Sequence, residues 1–231
     1  MGLYNKSFYR NRDKRTKHAA RTILPLIFSN YRIKSVADFG CGVGTWLGVC
    51  KELGASETLG IEGNWINESM LSSSFELYNT DLKKPIHLNK KYDLTISLEV
   101  AEHVPESNSD DFINSLSNSS DLILFSAAVI GQGGKGHVNE QNQSYWVEKF
   151  TRRGYSCMDV IRPKIWNDER IDTWYKQNIF IFSRKQEFTP CLMPIDVIHP
   201  DLFRIYSKPG IFLILKNLLR IPQLILDKIT K

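Results

Sequence analysis

The stretch that most constrains this 231-residue chain reads Ser35-Val36-Ala37-Asp38-Phe39-Gly40-Cys41-Gly42-Val43-Gly44-Thr45-Trp46. A short apolar run that breaks into glycines at alternate positions is a buried strand ending in a sharp turn. The glycines let the backbone approach a bulky ligand where a Cβ would collide. Further on, a second run, Glu57-Thr58-Leu59-Gly60-Ile61-Glu62, ends in a carboxylate. An acid at the tip of the second strand of a βαβ unit is where a ribose diol is held by two hydrogen bonds. Together the two runs describe half of a nucleoside-binding α/β fold.

The glycine spacing narrows the ligand. A dinucleotide fold requires G-x-G-x-x-G, with a helix N-terminus aimed at a pyrophosphate. Here the order is Asp38-x-Gly40-x-Gly42-x-Gly44. An acid before the first glycine repels a pyrophosphate and suits a ligand carrying an amino group; an NAD-dependent dehydrogenase, whose phosphate-loop spacing is missing, is the remaining nucleotide-fold option, and titration with SAM against NAD decides between them. The pattern resembles the first motif of the class I S-adenosylmethionine (SAM) dependent methyltransferases. That resemblance implies an α/β, Rossmann-like fold: a mostly parallel seven-stranded sheet, helices on both faces, and an antiparallel last strand between the fifth and sixth. It further implies that Asp38, Gly40, Cys41, Gly42 and Gly44 surround the methionine end of SAM, and that Glu62 and Gly63 take its ribose. S-adenosylhomocysteine is then the product.

Later segments extend the resemblance. Phe75 to Asn79 reads as a third strand, and Asp81 and Leu82 after it match the positions that read the adenine. Lys91 to Leu98 alternates as a fourth strand, and its tail, Leu98-Glu99-Val100-Ala101-Glu102-His103-Val104, resembles the corresponding motif of small-molecule methyltransferases. Glu99 is then expected beside the sulfonium, and His103 at the opening of the next helix. Helices are expected over 14–29 despite Pro25, over 45–53, 64–70, 111–116 and 143–153, and further strands over 121–126, 156–161 and 178–183.

The least generic run follows the fifth strand: Gly131-Gln132-Gly133-Gly134-Lys135-Gly136-His137-Val138-Asn139-Glu140-Gln141. It leaves the carboxyl end of a central strand, where open α/β sheets place reacting ligands. With Ser144-Tyr145-Trp146 it looks like a bacterial methyltransferase subgroup associated with surface-glycan and other small acceptors. A neutral hydroxyl must lose its proton to accept a methyl group, and an imidazole exchanges a proton near neutral pH. His137 is the expected base, with Glu140 on the same face of a helical turn either orienting it or gripping the acceptor, and His103 nearby. Asn139, Gln141 and Tyr145 are candidate acceptor contacts, and Trp166 and Trp174 offer indole faces on which a sugar stacks. A metal-assisted version would use His137, Glu140 and Glu99 or Glu102. Their spacing matches no recognisable ligand set, so no metal is expected.

Charge is unevenly placed. Residues 1–34 carry nine Lys/Arg against one acid and residues 184–231 eight against four, so the middle is net −7 within a total of +5. Three parts follow: a basic helical extension (1–30), a methyltransferase domain (31–185), and a basic amphipathic extension (186–231) whose residues 209–231 would dock on this subunit or a partner such as a second copy, or else lie on a membrane surface. A basic arm also fits nucleic acid, but the fourth strand lacks the N-P-P-Y or D-P-P-Y tetrapeptide of base methylators. A small-molecule or carbohydrate hydroxyl is therefore the expected acceptor. The alternatives are a nucleic-acid methyltransferase and a non-catalytic SAM-binding module. Four cysteines without a C-x-x-C pair, and no apolar signal core, fit a reducing, cytoplasmic setting.

Overall fold

The computed structural model describes residues 6–66, 68–185 and 195–207. Its elements run α1 (Lys6–Phe28), β1 (Ser35–Phe39), α2 (Thr45–Glu52), β2 (Glu57–Glu62), β3 (Glu76–Asn79), β4 (Leu94–Leu98), α3 (Ser109–Ser119), β5 (Leu122–Ser126), α4 (Gln143–Thr151), β6 (Ser156–Met158), α5 (Arg162–Ile165), α6 (Thr173–Asn178), β7 (Phe180–Ser183) and α7 (Pro200–Ser207). The seven strands form one sheet in the order β3-β2-β1-β4-β5-β7-β6. β7 runs antiparallel to β5 and β6, and the remaining pairings are parallel. This is the expected Rossmann-like fold. Strand order reverses between β1 and β4, so the crevice above their carboxyl ends is where such sheets bind ligands.

The core follows from side-chain alternation along buried strands. In β5, Ile123 and Phe125 face one layer with Phe112, Leu116, Trp146 and Phe150 of α3 and α4. Leu124 faces the other with Ile23, Leu24 and Ile27 of α1, Leu47 of α2 and Tyr175 of α6. Phe125 and Phe150 are at most 1% exposed, and each such side chain contributes roughly 1.5–3 kcal/mol. Phe150 stacks on Phe182, with ring centroids 4.0 Å apart.

Contact density divides the chain into Met1–Val197, which holds the whole sheet, and Ile198–Lys231. Within the second part α7 is described: the Asp201 N–H donates to His199 Nδ1 (3.1 Å). The expectations for 209–231 lie outside the described residues. Among the described residues no helix is long and apolar enough to cross a membrane.

Several expected elements are different. α1 starts at Lys6 and carries Pro25 inside it; the lost bond is tolerated because Ala20, Ile23, Leu24 and Ile27 are fully buried. The helix expected over 64–70 is a turn closed by Ile66 N–H on the Gly63 carbonyl (3.3 Å), followed by a single 3₁₀ turn, Glu68–Met70. His103 does not open a helix. It ends a 3₁₀ turn, Ala101–His103, and α3 begins at Ser109.

Candidate functional site

The first half of the site is the turn after β1. Gly40, Gly42 and Gly44 all have positive φ (82°, 52° and 81°), a region that costs any other residue about 1–2 kcal/mol. Packing separates their roles. A Cβ on Gly40 would lie 2.3 Å from Val100, and one on Gly44 would lie 1.9 Å from Phe75. Around Gly42 nothing lies within 4 Å of that position, so its backbone borders open space.

Two buried carboxylates stand close to each other by this turn. Asp38 is 2% exposed and its Oδ2 has no hydrogen-bond partner. Burial, and then repulsion from Glu62, pushes its carboxyl well above the ordinary range. An orphaned, enclosed acceptor is costly unless a donor arrives. Glu62, 8% exposed, accepts from Gly42 N–H at Oε2 (2.9 Å), and from Gly63 N–H (2.8 Å) and the Trp65 indole N–H (3.1 Å) at Oε1. The indole is itself 53% exposed. Cys41 is buried beside both acids, and burial followed by their charges pushes its thiol far up, which makes it a poor nucleophile.

The second half lies past the ends of β4 and β5. Glu99 has φ 56°, the only positive value at a non-glycine among the described residues. Its N–H is held by Ser126 through both the carbonyl (3.0 Å) and Oγ (3.1 Å). Its Oε2 accepts from Gln132 Nε2 (2.8 Å) and its Oε1 from Asn178 Nδ2 (3.2 Å), while Asn178 also donates to Gln132 Oε1 (2.8 Å). Burial raises the Glu99 carboxyl against the opposing pull of Gln132, Asn178, Ser126 and His137.

Beside it, His137 Nδ1–H donates to Glu140 Oε1 (2.7 Å). Glu140 also accepts from Gly133 N–H at the same oxygen (2.6 Å) and from Gly131 N–H at Oε2 (2.9 Å), so one carboxylate ties the glycine loop and the imidazole together. The pair meets without the helical turn expected from their spacing, since 137–140 is irregular. The loop is instead pinned by Val138 and Asn139 N–H on the Glu102 carbonyl (2.9 and 3.0 Å). Gly134 lies against the ring: a Cβ there would lie 2.2 Å from His137 Nε2. His103 sits edge-on to His137, with centroids 4.9 Å apart, and its Nδ1–H donates to the Gly136 carbonyl (3.1 Å).

Other expected site residues spend their polar groups elsewhere. Asn139, 4% exposed, donates to Ser109 Oγ (3.1 Å) and accepts from Gln141 Nε2 (2.9 Å). Tyr145 donates to the same Ser109 oxygen (3.2 Å). These three anchor the loop to the start of α3. Asp81 is exposed and accepts from Lys83 N–H (3.0 Å) in a turn, while Leu82 packs on the core. Trp174 packs against the layer under α1, and Trp166 is half-buried. Sequence reasoning missed Gln132, Asn178, Trp65 and Ser109. An amide far along the chain leaves no local signal that it holds an acid.

Against known families, the one described as "Methyltransferase domain" matches residues 9–146. No curated protein matches this chain. Among solved structures, magnesium protoporphyrin IX methyltransferase from Synechocystis PCC 6803 with bound SAM shares 18% identity at a TM-score of 0.55, over 80% of this chain and 86% of that one. Streptomyces venezuelae DesVI shares 15% identity at 0.56, over 77% and 95%. The O-methyltransferase NcsB1 of neocarzinostatin biosynthesis, in complex with SAM and 2-hydroxy-5-methyl naphthoic acid, shares 12% identity at 0.50, over 77% and 57%. At these identities the likeness is one of fold.

Proposed function

The chain belongs to the methyltransferase-domain family, and from that premise we propose that it transfers a methyl group from SAM to a hydroxyl of a small-molecule or carbohydrate acceptor. The observation that carries the reading is Asp38. Its buried oxygen has no hydrogen-bond partner and so lacks one donor, and the ammonium of SAM is such a donor. A hydrogen bond to a charged group of this kind contributes about 1.5–3 kcal/mol. Glu62, fixed by three donors, keeps lone pairs for a ribose diol. When bound, SAM supplies an electrophilic methyl carbon on a sulfonium.

The residues past β4 and β5 then act on the acceptor. Glu99, held by Gln132 and Asn178, favours positive charge nearby. With Nδ1–H given to Glu140, His137 keeps its electron pair on Nε2, and that pair is the means by which the acceptor hydroxyl loses its proton. Holding the nucleophile in line with the methyl group supplies much of the remaining advantage. The carbohydrate reading draws on the likeness of the His137–Gln141 run to glycan-modifying enzymes, with Trp166 as a stacking face. Arg15, Lys17 and Arg21 of the basic helix are paired with acids of the same chain, which disfavours a nucleic-acid acceptor.

The test is calorimetry with SAM, followed by incubation of labelled SAM with fractionated extract of the source cell. His137→Ala is expected to lower turnover by about 10²–10⁴ while SAM affinity stays within about twofold. Turnover within a few-fold of the parent sinks the assignment of His137. Cofactor binding without turnover on any fraction favours a binding module instead.

A further inference from the structure

Sequence spacing shows no metal set, but the fold gathers one. Glu102, His103 and His137 each bring a donor atom to a cluster in which all three lie within 4.8 Å of one another. Two come from the 3₁₀ turn after β4 and the third from a loop more than thirty residues on.

The geometry inside the cluster is that of ligands before an ion. Glu102 is 1% exposed, and its Oε2 has no hydrogen-bond partner. His137 Nε2 lies 3.8 Å from Glu102 Oε1, beyond a hydrogen bond. Two donors on one ion at about 2.0–2.2 Å and a tetrahedral angle lie about 3.4 Å apart; the observed gap is slightly wider. Both imidazoles are also oriented. His137 gives its Nδ1–H to Glu140 and His103 gives its own to the Gly136 carbonyl, so Nε2 is the ring nitrogen through which each would hold an ion. A carboxylate or carbonyl behind a ring in this way is the usual outer support of a metal-binding histidine. Glu99 is not part of the set, since Gln132 and Asn178 hold its oxygens.

We propose that Glu102, His103 and His137 bind a divalent metal ion, and that the acceptor's hydroxyl loses its proton as a ligand of that ion rather than directly to His137. The inference rests on the methyl-transfer reading of this site. Three ligands leave positions for an oxygen of the acceptor, and two imidazoles with one carboxylate suit zinc or manganese. A hydroxyl bound to the ion gives up its proton to water near neutral pH. The freed pair forms the bond to the methyl carbon while the carbon–sulfur bond breaks, and its electrons return to sulfur to leave a neutral thioether. Gly134 lets the loop close over His137 without a side chain striking Nε2, since a Cβ there would lie 2.2 Å from it.

The test uses the full chain, dialysed against a chelator and then titrated with Mn²⁺ by electron paramagnetic resonance, with Zn²⁺ as competitor. Saturable binding of about one ion per chain is expected. Exposed His103 gives the safest variant, and His103→Ala is expected to weaken binding by more than about 100-fold; Glu140→Gln, which loosens the outer support, by about 10–100-fold. Thermal melts confirm that each variant folds. Failure to bind either ion, or equal binding by parent and His103→Ala, overturns the proposal. So does full turnover after exhaustive chelation, which returns His137 to the role of direct base. SAM calorimetry on the metal-free chain separates the two readings, because loss of SAM binding by the parent would strike at the methyl-transfer assignment itself.

Discussion

The two halves of the site are made in opposite ways. On the β1–β2 side the backbone does most of the shaping: three left-handed glycines, and two acids that sit at the strand ends where the sequence places them. On the β4–β5 side, side chains do more of the shaping: Glu99 is gripped by Gln132 and Asn178 from distant segments, and His137 by Glu140 three residues on. A backbone cradle tolerates little change, because it serves a ligand of fixed shape. A side-chain cradle on a loop can be rebuilt for another acceptor while the sheet stays as it is.

If that contrast is sound, the largest single effect belongs to the backbone half. Gly44→Ala adds a Cβ that overlaps Phe75 at a left-handed position. Overpacking and the unfavourable φ together are expected to cost about 2–5 kcal/mol, read as a lowered urea midpoint and lost SAM binding. A variant that melts with the parent and binds SAM normally would break the comparison at its strongest point.

Gly134→Ala probes the other half. The added methyl group enters the space of His137 Nε2, but the loop can shift, so the fold should hold. Turnover is expected to fall by about 10–100-fold, as when a catalytic group is misplaced by about an ångström, with SAM affinity and melting temperature unchanged. A matching loss of SAM affinity would show that the halves are not separable.

This contrast also explains what could be read beforehand. The half-fold from Ser35 to Glu62 follows from alternation, and the mostly parallel sheet with an antiparallel last strand between the fifth and sixth from the resemblance those residues carry. Glu140 was recognisable as the partner of His137, but for the wrong reason. Their pairing depends on the N–H groups of Gly131 and Gly133, not on a helical turn. The 64–70 segment deceived because Asn64-Trp65-Ile66 has acceptable helical composition, whereas the Trp65 indole is drawn back to Glu62. Glu102 stood in plain view, yet its nearness to His137 is set by a loop closure that leaves no mark on local spacing.

Proton linkage offers a smaller effect with a definite sign. Burial holds the Asp38 carboxyl well above the usual carboxylate range, so between the unfolded and folded pKa values the native chain binds the extra proton. Stability contributed this way is present at low pH and is lost as pH rises through that window. An ammonium beside Asp38 favours the ionised form and expels the proton, so SAM affinity should be several-fold higher at about pH 7.5 than at about pH 5.5. Asp38→Asn should weaken binding and flatten its pH profile. Glu102, also raised by burial and by the charges of Glu99 and Glu140, remains in that variant, so the difference between the two profiles isolates Asp38.

The smallest expected effect concerns α1, which stands outside both halves. Arg21 makes two hydrogen bonds to Glu52, at 2.9 and 3.0 Å, with Lys17 at 3.4 Å from the same carboxylate. Arg15 reaches Asp172 at 2.5 Å, and His18 lies 3.3 Å from Asp168. The charges over 15–21 therefore complement the acidic domain and fix the helix in place, a role in which exposed pairs are individually weak. A helix that gripped a polyanion would release counterions, and binding would fall steeply with salt. Lys17→Ala combined with Arg21→Ala should accordingly leave turnover, and its dependence on salt, within about twofold of the parent. A salt-dependent loss of binding to a random oligonucleotide in the double variant would assign the helix to the acceptor, and the side-chain half of the site would then extend beyond the sheet.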